Sequence, residues 1–277
     1  MFPIGGSMAK LMQAGVSTAC IYPDELEKTF SDLAVRNVKN VEIFVNTHRE
    51  LFDPYLSIMK NIKDKHNINV PSIHPYTCAA EPLMLFTDYE RRFNDALEYH
   101  KYYFEYMNKL GAKIFVLHGN KPQNPYPEEK YFERYASLQK LANSFGITIA
   151  QENVSRCCSG QLQFLINMKK QLGDTAKFVL DTKQAHRVGG DPLEFLKALG
   201  SSIIHVHYSD YSKNGDCLPF GFGDYDNDSF FKELMNIGYN GCIMIELYRS
   251  GFTDMNSLCE NYEKLQSYLN KLCPIIV

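Results

Sequence analysis

The sequence predicts a parallel-stranded (β/α)8 barrel of the TIM type, an α/β fold formed as one domain by residues 1–277. Three observations predict it. Eight short runs rich in Val, Ile and Phe alternate with eight longer stretches of helical pattern, the order expected of a parallel sheet that closes on itself. The length of 277 residues is near the about 250 typical of one such barrel, and it suffices for a large core. The first apolar run leads into Ser17-Thr18-Ala19-Cys20, not into the Gly-rich phosphate loop that an open doubly wound sheet normally carries there.

The elements follow in order. Strand Met12–Ser17 precedes helix Pro23–Arg36, and strand Val41–Val45 precedes helix Glu50–His66. Strand Ile68–His74 leads to helix Asp88–Leu110, closed by Gly111 in the manner of a C-terminal cap. Strand Lys113–His118 leads to helix Glu128–Phe145, with Gly146 behind it. Strand Ile147–Asn153 is followed by helix Gln161–Leu172. Strand Phe178–Asp181 is followed by Pro192–Leu199, where Asp191-Pro192 reads as an N-cap with Pro at the first helical position. Strand Ile203–Tyr208 precedes helix Ser229–Ile237, and strand Cys242–Leu247 precedes helix Asp254–Leu272. Gly173, Gly200 and Gly238 each separate a helix from the next strand. The apolar density of the strands is that of parallel strands buried on both faces.

Composition narrows the function. Apolar residues make up 45% and charged residues 22%, with a formal net charge of −3. This is an ordinary globular balance. It lacks the basic excess with which a nucleic-acid binder neutralises phosphates, so no nucleic-acid partner is expected. Met1–Lys10 does not show the charged and apolar regions of a secretory leader, and no run approaches the about 20 apolar residues of a membrane span. A cytoplasmic location without membrane association is therefore expected. The eight cysteines contain no CxxC pair, which fits free thiols in a reducing compartment. Cys157 and Cys158 are adjacent but lack the second Cys/His pair of a zinc site.

The chemistry sits at the strand ends. His74 ends the third strand, His118 the fourth, Glu152 the fifth and Asp181 the sixth, while His207 and Glu246 lie near the ends of the seventh and eighth. A TIM barrel builds its active site at this end. The two-residue alternation of a strand puts Val179 with Asp181, Ala150 with Glu152, and Met244 with Glu246 on shared faces. If those faces point inward, the polar residues cap an apolar barrel. The opposite parity would bury charges beneath the outer helices. Carboxylates converging in such a pocket repel one another unless a cation sits among them. Oxygen and nitrogen donors of this kind suit one divalent ion, Mn2+ first, with Zn2+, Mg2+, Co2+ and Fe2+ as alternatives.

Other residues are candidates for substrate contact. His74 and His118 are read as substrate contacts, ligands of a second metal, or plain hydrogen-bonded histidines. His186 and Arg187 after the sixth strand, and Arg249 after the eighth, are candidates for an anionic substrate group. His205, one inward step below His207, is read as structural. Glu42 reaches the pocket only if the register of the second strand is right. Tyr76, Phe86, Phe220 and Phe222 either wall a sugar pocket or pack in the core, and Pro219–Asp224 reads as a mobile loop over the site.

Four motifs, Gln151-Glu152-Asn153, Leu180-Asp181-Thr182, His205-Val206-His207 and Ile245-Glu246-Leu247, succeed one another on strands five to eight. In these the chain resembles the xylose-isomerase-like TIM-barrel superfamily over nearly its whole length. That superfamily contains sugar-phosphate isomerases, ketose 3-epimerases and zinc-dependent apurinic endonucleases. The resemblance implies one metal held by Glu152, Asp181, His207 and Glu246. The three-zinc endonuclease branch would use His74 and His118 too. It also has a histidine where this chain has Gln184, and an Asp-x-His pair where it has Asp216-Cys217-Leu218.

The expected activity is isomerisation or epimerisation of a sugar or sugar phosphate by proton transfer through an enediolate, with Glu152 and Glu246 as acid and base. Two other readings use the same site. One is a lyase that dehydrates a cyclic polyol ketone, and the other is a non-catalytic sugar-binding barrel. The expected partner is a small-molecule carbohydrate; a homo-oligomer is compatible with the sequence, which leaves the oligomeric state open.

Overall fold

A computed structural model describes residues 12–272. Met1–Lys10, read above for a leader, and Cys273 lie outside them. Eight parallel strands close into a barrel in the order β1-β10-β7-β6-β5-β4-β3-β2. They are β1 (Gln13–Ser17), β2 (Val41–Phe44), β3 (Ser72–His74), β4 (Ile114–Leu117), β5 (Thr148–Glu152), β6 (Phe178–Asp181), β7 (Ile203–Tyr208) and β10 (Cys242–Ile245). The remaining two strands, β8 (Asp210–Ser212) and β9 (Gly215–Leu218), form an antiparallel hairpin after β7.

Around the barrel run α1 (Leu26–Val35), α2 (Tyr55–His66), α4 (Glu90–Leu110), α5 (Glu128–Asn143), α6 (Leu162–Leu172), α8 (Pro192–Leu199), α9 (Asn227–Asn236) and α10 (Met255–Leu272). Two short helices, α3 (Glu81–Met84) and α7 (Thr182–Arg187), lie in the loops that follow β3 and β6. The main core fills the layer between strands and helices with side chains such as Phe30, Phe104, Phe115, Phe178 and Leu265. Val116, Ala150 and Val179 form a separate buried cluster. That is the inward-facing apolar layer expected below Glu152 and Asp181. Among the described residues no helix is long and apolar enough to cross a membrane.

Differences from the sequence reading have local causes. The third strand is not Ile68–His74 but Ser72–His74, because Pro71 has no N–H to add to a ladder. Upstream of it the segment meets β2's approach at the Asn40–Asn69 bridge, where Asn69 Nδ2 also donates to Asn40 Oδ1 at 2.9 Å. The second helix starts at Tyr55 and not at Glu50, since Pro54 stands at its N-cap and His48–Leu51 is a separate 3-10 turn. Pro219–Asp224 is fastened down. Phe220 is buried, its N–H donates to Asn261 Oδ1 at 3.1 Å, and the Gly221 N–H donates to Asp210 Oδ2 at 2.9 Å. Phe86 is also a core residue, stacked on Tyr131 at 4.0 Å, while Phe222 is exposed beside Lys264.

β1 leaves no room for a side chain at Gly15. A Cβ on Gly15 would collide with the Met244 thioether and come within 2.9 Å of the Asn40 carbonyl oxygen. Overpacking of this kind costs about 1–3 kcal/mol. Gly15→Ala should lose about that much stability in urea unfolding; an unchanged midpoint would show that Met244 swings aside freely.

Candidate metal centre and active site

β5, β6, β7 and the residue after β10 supply three carboxylates and an imidazole to one cluster, and the end of β3 and the residue after β4 add two neighbouring histidines. Glu152, Asp181, His207 and Glu246 each place a ligand-type atom within 4.8 Å of the others. Glu152 ends β5, Asp181 ends β6, His207 lies within β7, and Glu246 follows β10. His207 Nδ1 is 3.2 Å from Glu152 Oε1 and 3.4 Å from Glu246 Oε2. Asp181 has two duties. Its Oδ1 accepts the Gln184 N–H at 3.0 Å as the N-cap of α7, while its Oδ2 is buried with no hydrogen-bond partner.

His74 and His118 adjoin this set. His118 Nε2 lies 2.9 Å from Glu152 Oε2 and 2.9 Å from His74 Nε2. Burial would push the His118 ring's pKa down, but the Glu152 carboxylate overrides it and holds the ring well above the usual histidine range. Burial and the neighbouring His118 push His74 down to about 4. Below His118, burial raises the Glu81 carboxyl to about 8, and it accepts the Gly119 N–H. Gly119 has φ 91°, and a Cβ there would strike the Tyr131 hydroxyl. Glu81 was not visible in the sequence, since it lies on a short helix inside a long loop.

One layer deeper, polar contacts span the barrel. Glu42 on β2 is fully buried, and its Oε2 is 3.0 Å from His207 Nε2, 3.0 Å from His205 Nε2 and 2.7 Å from Ser72 Oγ. β7 does not neighbour β2 or β3 in the sheet, so the bonds from Glu42 to His205 and His207 cross the interior. Burial would raise the Glu42 carboxyl, but the two imidazoles hold it well below the usual range. With Nε2 turned to Glu42, His207 presents Nδ1 to Glu152 and Glu246. A carboxylate behind a ligating imidazole in this way fixes its tautomer and orientation.

The residue that sequence reasoning passed over is Lys183. It is 3% exposed, and its Nζ lies 3.3 Å from Asp181 Oδ2 and 3.3 Å from Glu246 Oε2. α7 begins directly at the end of β6, so the second residue after Asp181 turns back over the strand end. A lysine two positions beyond a strand-end aspartate was the available signal. Burial would depress the Lys183 ammonium, but Asp181 and Glu246 hold it well above its usual range. Burial pushes Asp181 up to about 7 against the pull of Lys183, with Glu246 and Glu152 adding to the rise. For Glu246 and Glu152 burial also acts upward, but Lys183 and His207 hold the first low, and His118 and His207 the second.

The other candidates lie around this centre. Arg187 forms a two-pronged ion pair with Asp216 on β9 and donates to the Tyr248 hydroxyl at 2.7 Å. His186 stacks on Tyr211 at 4.0 Å. Arg249 lies over the Phe252 ring at 4.9 Å and donates to the Phe252 carbonyl. Gln184 accepts from the Ser155 N–H at 2.9 Å and from its hydroxyl at 2.6 Å, tying the loop after β5 to α7. Tyr76 hydrogen-bonds Tyr99 at 2.7 Å, and Phe44 leans on His74 with ring centres 4.9 Å apart.

Comparison with known proteins gives three findings. A family model described as "Xylose isomerase-like TIM barrel" matches residues 32–272. An uncharacterized protein of Mycobacterium leprae (strain TN) is 22% identical over 95% of this chain and 99% of its own. Among solved structures, a D-tagatose 3-epimerase-like protein has a TM-score of 0.77 at 22% identity, covering 94% of this chain and 98% of that one. The IOLI protein with a binding zinc atom has a TM-score of 0.75 at 18% identity, covering 94% and 99%.

Proposed function

The chain belongs to the xylose isomerase-like TIM-barrel family, and from that premise we propose that it is a divalent-metal-dependent isomerase or epimerase of a sugar or sugar phosphate. The observation that carries this reading is the convergence of Glu152, Asp181, His207 and Glu246 within 4.8 Å at the mouth of the barrel. The donor set fits a metal. Asp181 Oδ2 is buried without a hydrogen bond, and such an atom is costly unless a cation meets it; Lys183 Nζ stands 3.3 Å away, and a divalent ion would meet it directly. His207 turns one nitrogen toward the carboxylates and has the other held by Glu42. Three carboxylates and one imidazole favour Mn2+, and the zinc of the IOLI structure makes Zn2+ the first alternative.

A divalent ion supplies charge that makes the C–H beside a carbonyl more acidic. The chain's own residues then move the proton. Glu152 and Glu246 approach from β5 and from beyond β10, which are not neighbours in the barrel. One removes the proton and the other, or the same one, returns it. His118 and His74, beside Glu152, are placed to hold substrate hydroxyls, with Arg187, His186 and Arg249 further out. The epimerase-like neighbour supports a carbohydrate substrate. The test is a set of ketoses, aldoses and their phosphates incubated with the protein in deuterated water and followed by proton NMR. Exchange at a single carbon next to a carbonyl is expected. Ultraviolet absorption from an enone without exchange products would point to dehydration, and binding without turnover to a non-catalytic barrel.

The same residues argue against DNA repair. Gln184 is engaged by Ser155, and Asp216 by Arg187, so neither is free to extend the centre toward a three-metal site. Purified protein loaded with Zn2+ or Mn2+ should leave an abasic duplex intact. Robust metal-dependent incision would overturn that expectation.

A further inference from the structure

The Lys183 ammonium sits among the ligand atoms of the proposed metal centre. It is within 3.3 Å of carboxylates from two different strand ends, Asp181 and Glu246, which are two of the four proposed ligands. A lysine that only anchors a turn behaves differently. Lys169, on the outside of the barrel, donates to the Ala198 and Leu199 carbonyls at 3.1 and 2.8 Å and touches no acid of the centre. Lys183 shows no such backbone bonds among its contacts; it meets the two acids and the face of Tyr248, whose ring centre is 5.1 Å from Nζ.

We propose that Lys183 is a built-in competitor for the metal, occupying part of the metal's seat and setting how tightly the centre holds the ion. The inference rests on the proposed metal centre. When no ion is present, the buried carboxylate of Asp181 and the half-buried one of Glu246 need a counter-charge, and the ammonium provides it. A divalent ion binding the same oxygens makes that charge superfluous and repels it, so Nζ must leave at least one of the two acids. The flexible four-carbon stem permits this, and the Tyr248 face offers the displaced ammonium another partner. The centre therefore stays electrically compensated whether loaded or empty, and metal affinity is lowered by the work of displacing the lysine.

The test is titration of chelator-stripped protein with Mn2+ and separately with Zn2+, against a chromophoric competitor. Wild type is compared with Lys183→Met and Lys183→Gln, each first shown to be folded by circular dichroism. Both variants should bind the ion at least tenfold more tightly than wild type and melt at lower temperature in excess chelator. Equal or weaker binding in folded variants overturns the proposal while leaving the metal centre standing. If wild type itself binds neither ion, the metal centre fails, and this inference with it. Should neither variant fold, a crystal structure of wild type with Mn2+ decides. Nζ more than 4 Å from Asp181 or Glu246 supports displacement, and Nζ still bridging both acids beside the ion overturns it.

Discussion

Asp181→Ala protein should carry less than a tenth of a metal ion per chain, against close to one for wild type purified in parallel. Elemental analysis after desalting measures it. Asp181 is an exacting test because its Oδ2 is buried without a hydrogen bond, with the Lys183 ammonium 3.3 Å away. Alanine also removes the cap of α7, since Oδ1 accepts the Gln184 N–H. A lost cap costs about 1 kcal/mol, too little to unfold a barrel of this size. Asp181→Asn separates the two roles, because its one oxygen is taken by the cap and an amide nitrogen, which is no ligand, is left facing the metal. It should stay folded and still lose most of the metal. Wild-type metal content in the alanine protein, or fully active protein without metal, would remove the proposed centre.

The second large effect concerns the acid and base. Glu152→Gln and Glu246→Gln should each lower turnover of whichever sugar shows exchange by at least about 10²–10⁴-fold, the usual worth of a positioned proton-transfer group. Glutamine keeps the size and one oxygen for the metal but cannot take a proton. Metal content should therefore fall far less than turnover. Glu152 is the deeper, with its side chain 2% exposed against 16% for Glu246. Glu246 thus stands closer to the mouth, where substrate enters. Near wild-type exchange rates in both variants would disprove the two-carboxylate mechanism.

Much of this was legible in the sequence because strand ends are legible. A parallel strand buried on both faces is a short apolar run, and a charged residue at its C-terminal end stands out against it. Phe178–Asp181 and Ile203–Tyr208 begin and end where the pattern placed them. Two-residue alternation puts Ala150 on the face of Glu152 and Val179 on the face of Asp181, and Ala150 and Val179 share a buried cluster. Glu42 was harder, because only the register of β2 decides whether it faces the interior, and a single-residue slip would reverse it. Lys183 was hidden by the absence of any linker between β6 and α7, which brings a helical residue back over the strand. The hairpin of β8 and β9 was missed because strands of three and four residues leave almost no alternation to read. Pro71, which has no N–H for the ladder, shortens β3 from its N-terminal side.

The contact of Glu42 with Ser72, His205 and His207 acts as a cross-tie. It joins staves that the sheet itself keeps apart, with Ser72 and His205 coming from opposite sides of the barrel. At this height polar bonds span the interior of the barrel, whereas the layer of Val116, Ala150 and Val179 is apolar. Lengthening or shortening any member of the tie by one carbon therefore changes more than local packing. Because the far end of the tie is the His207 ring, the error is passed on as a change in where that ring aims. The interior of the barrel and the chemistry at its mouth thus share one mechanical tolerance.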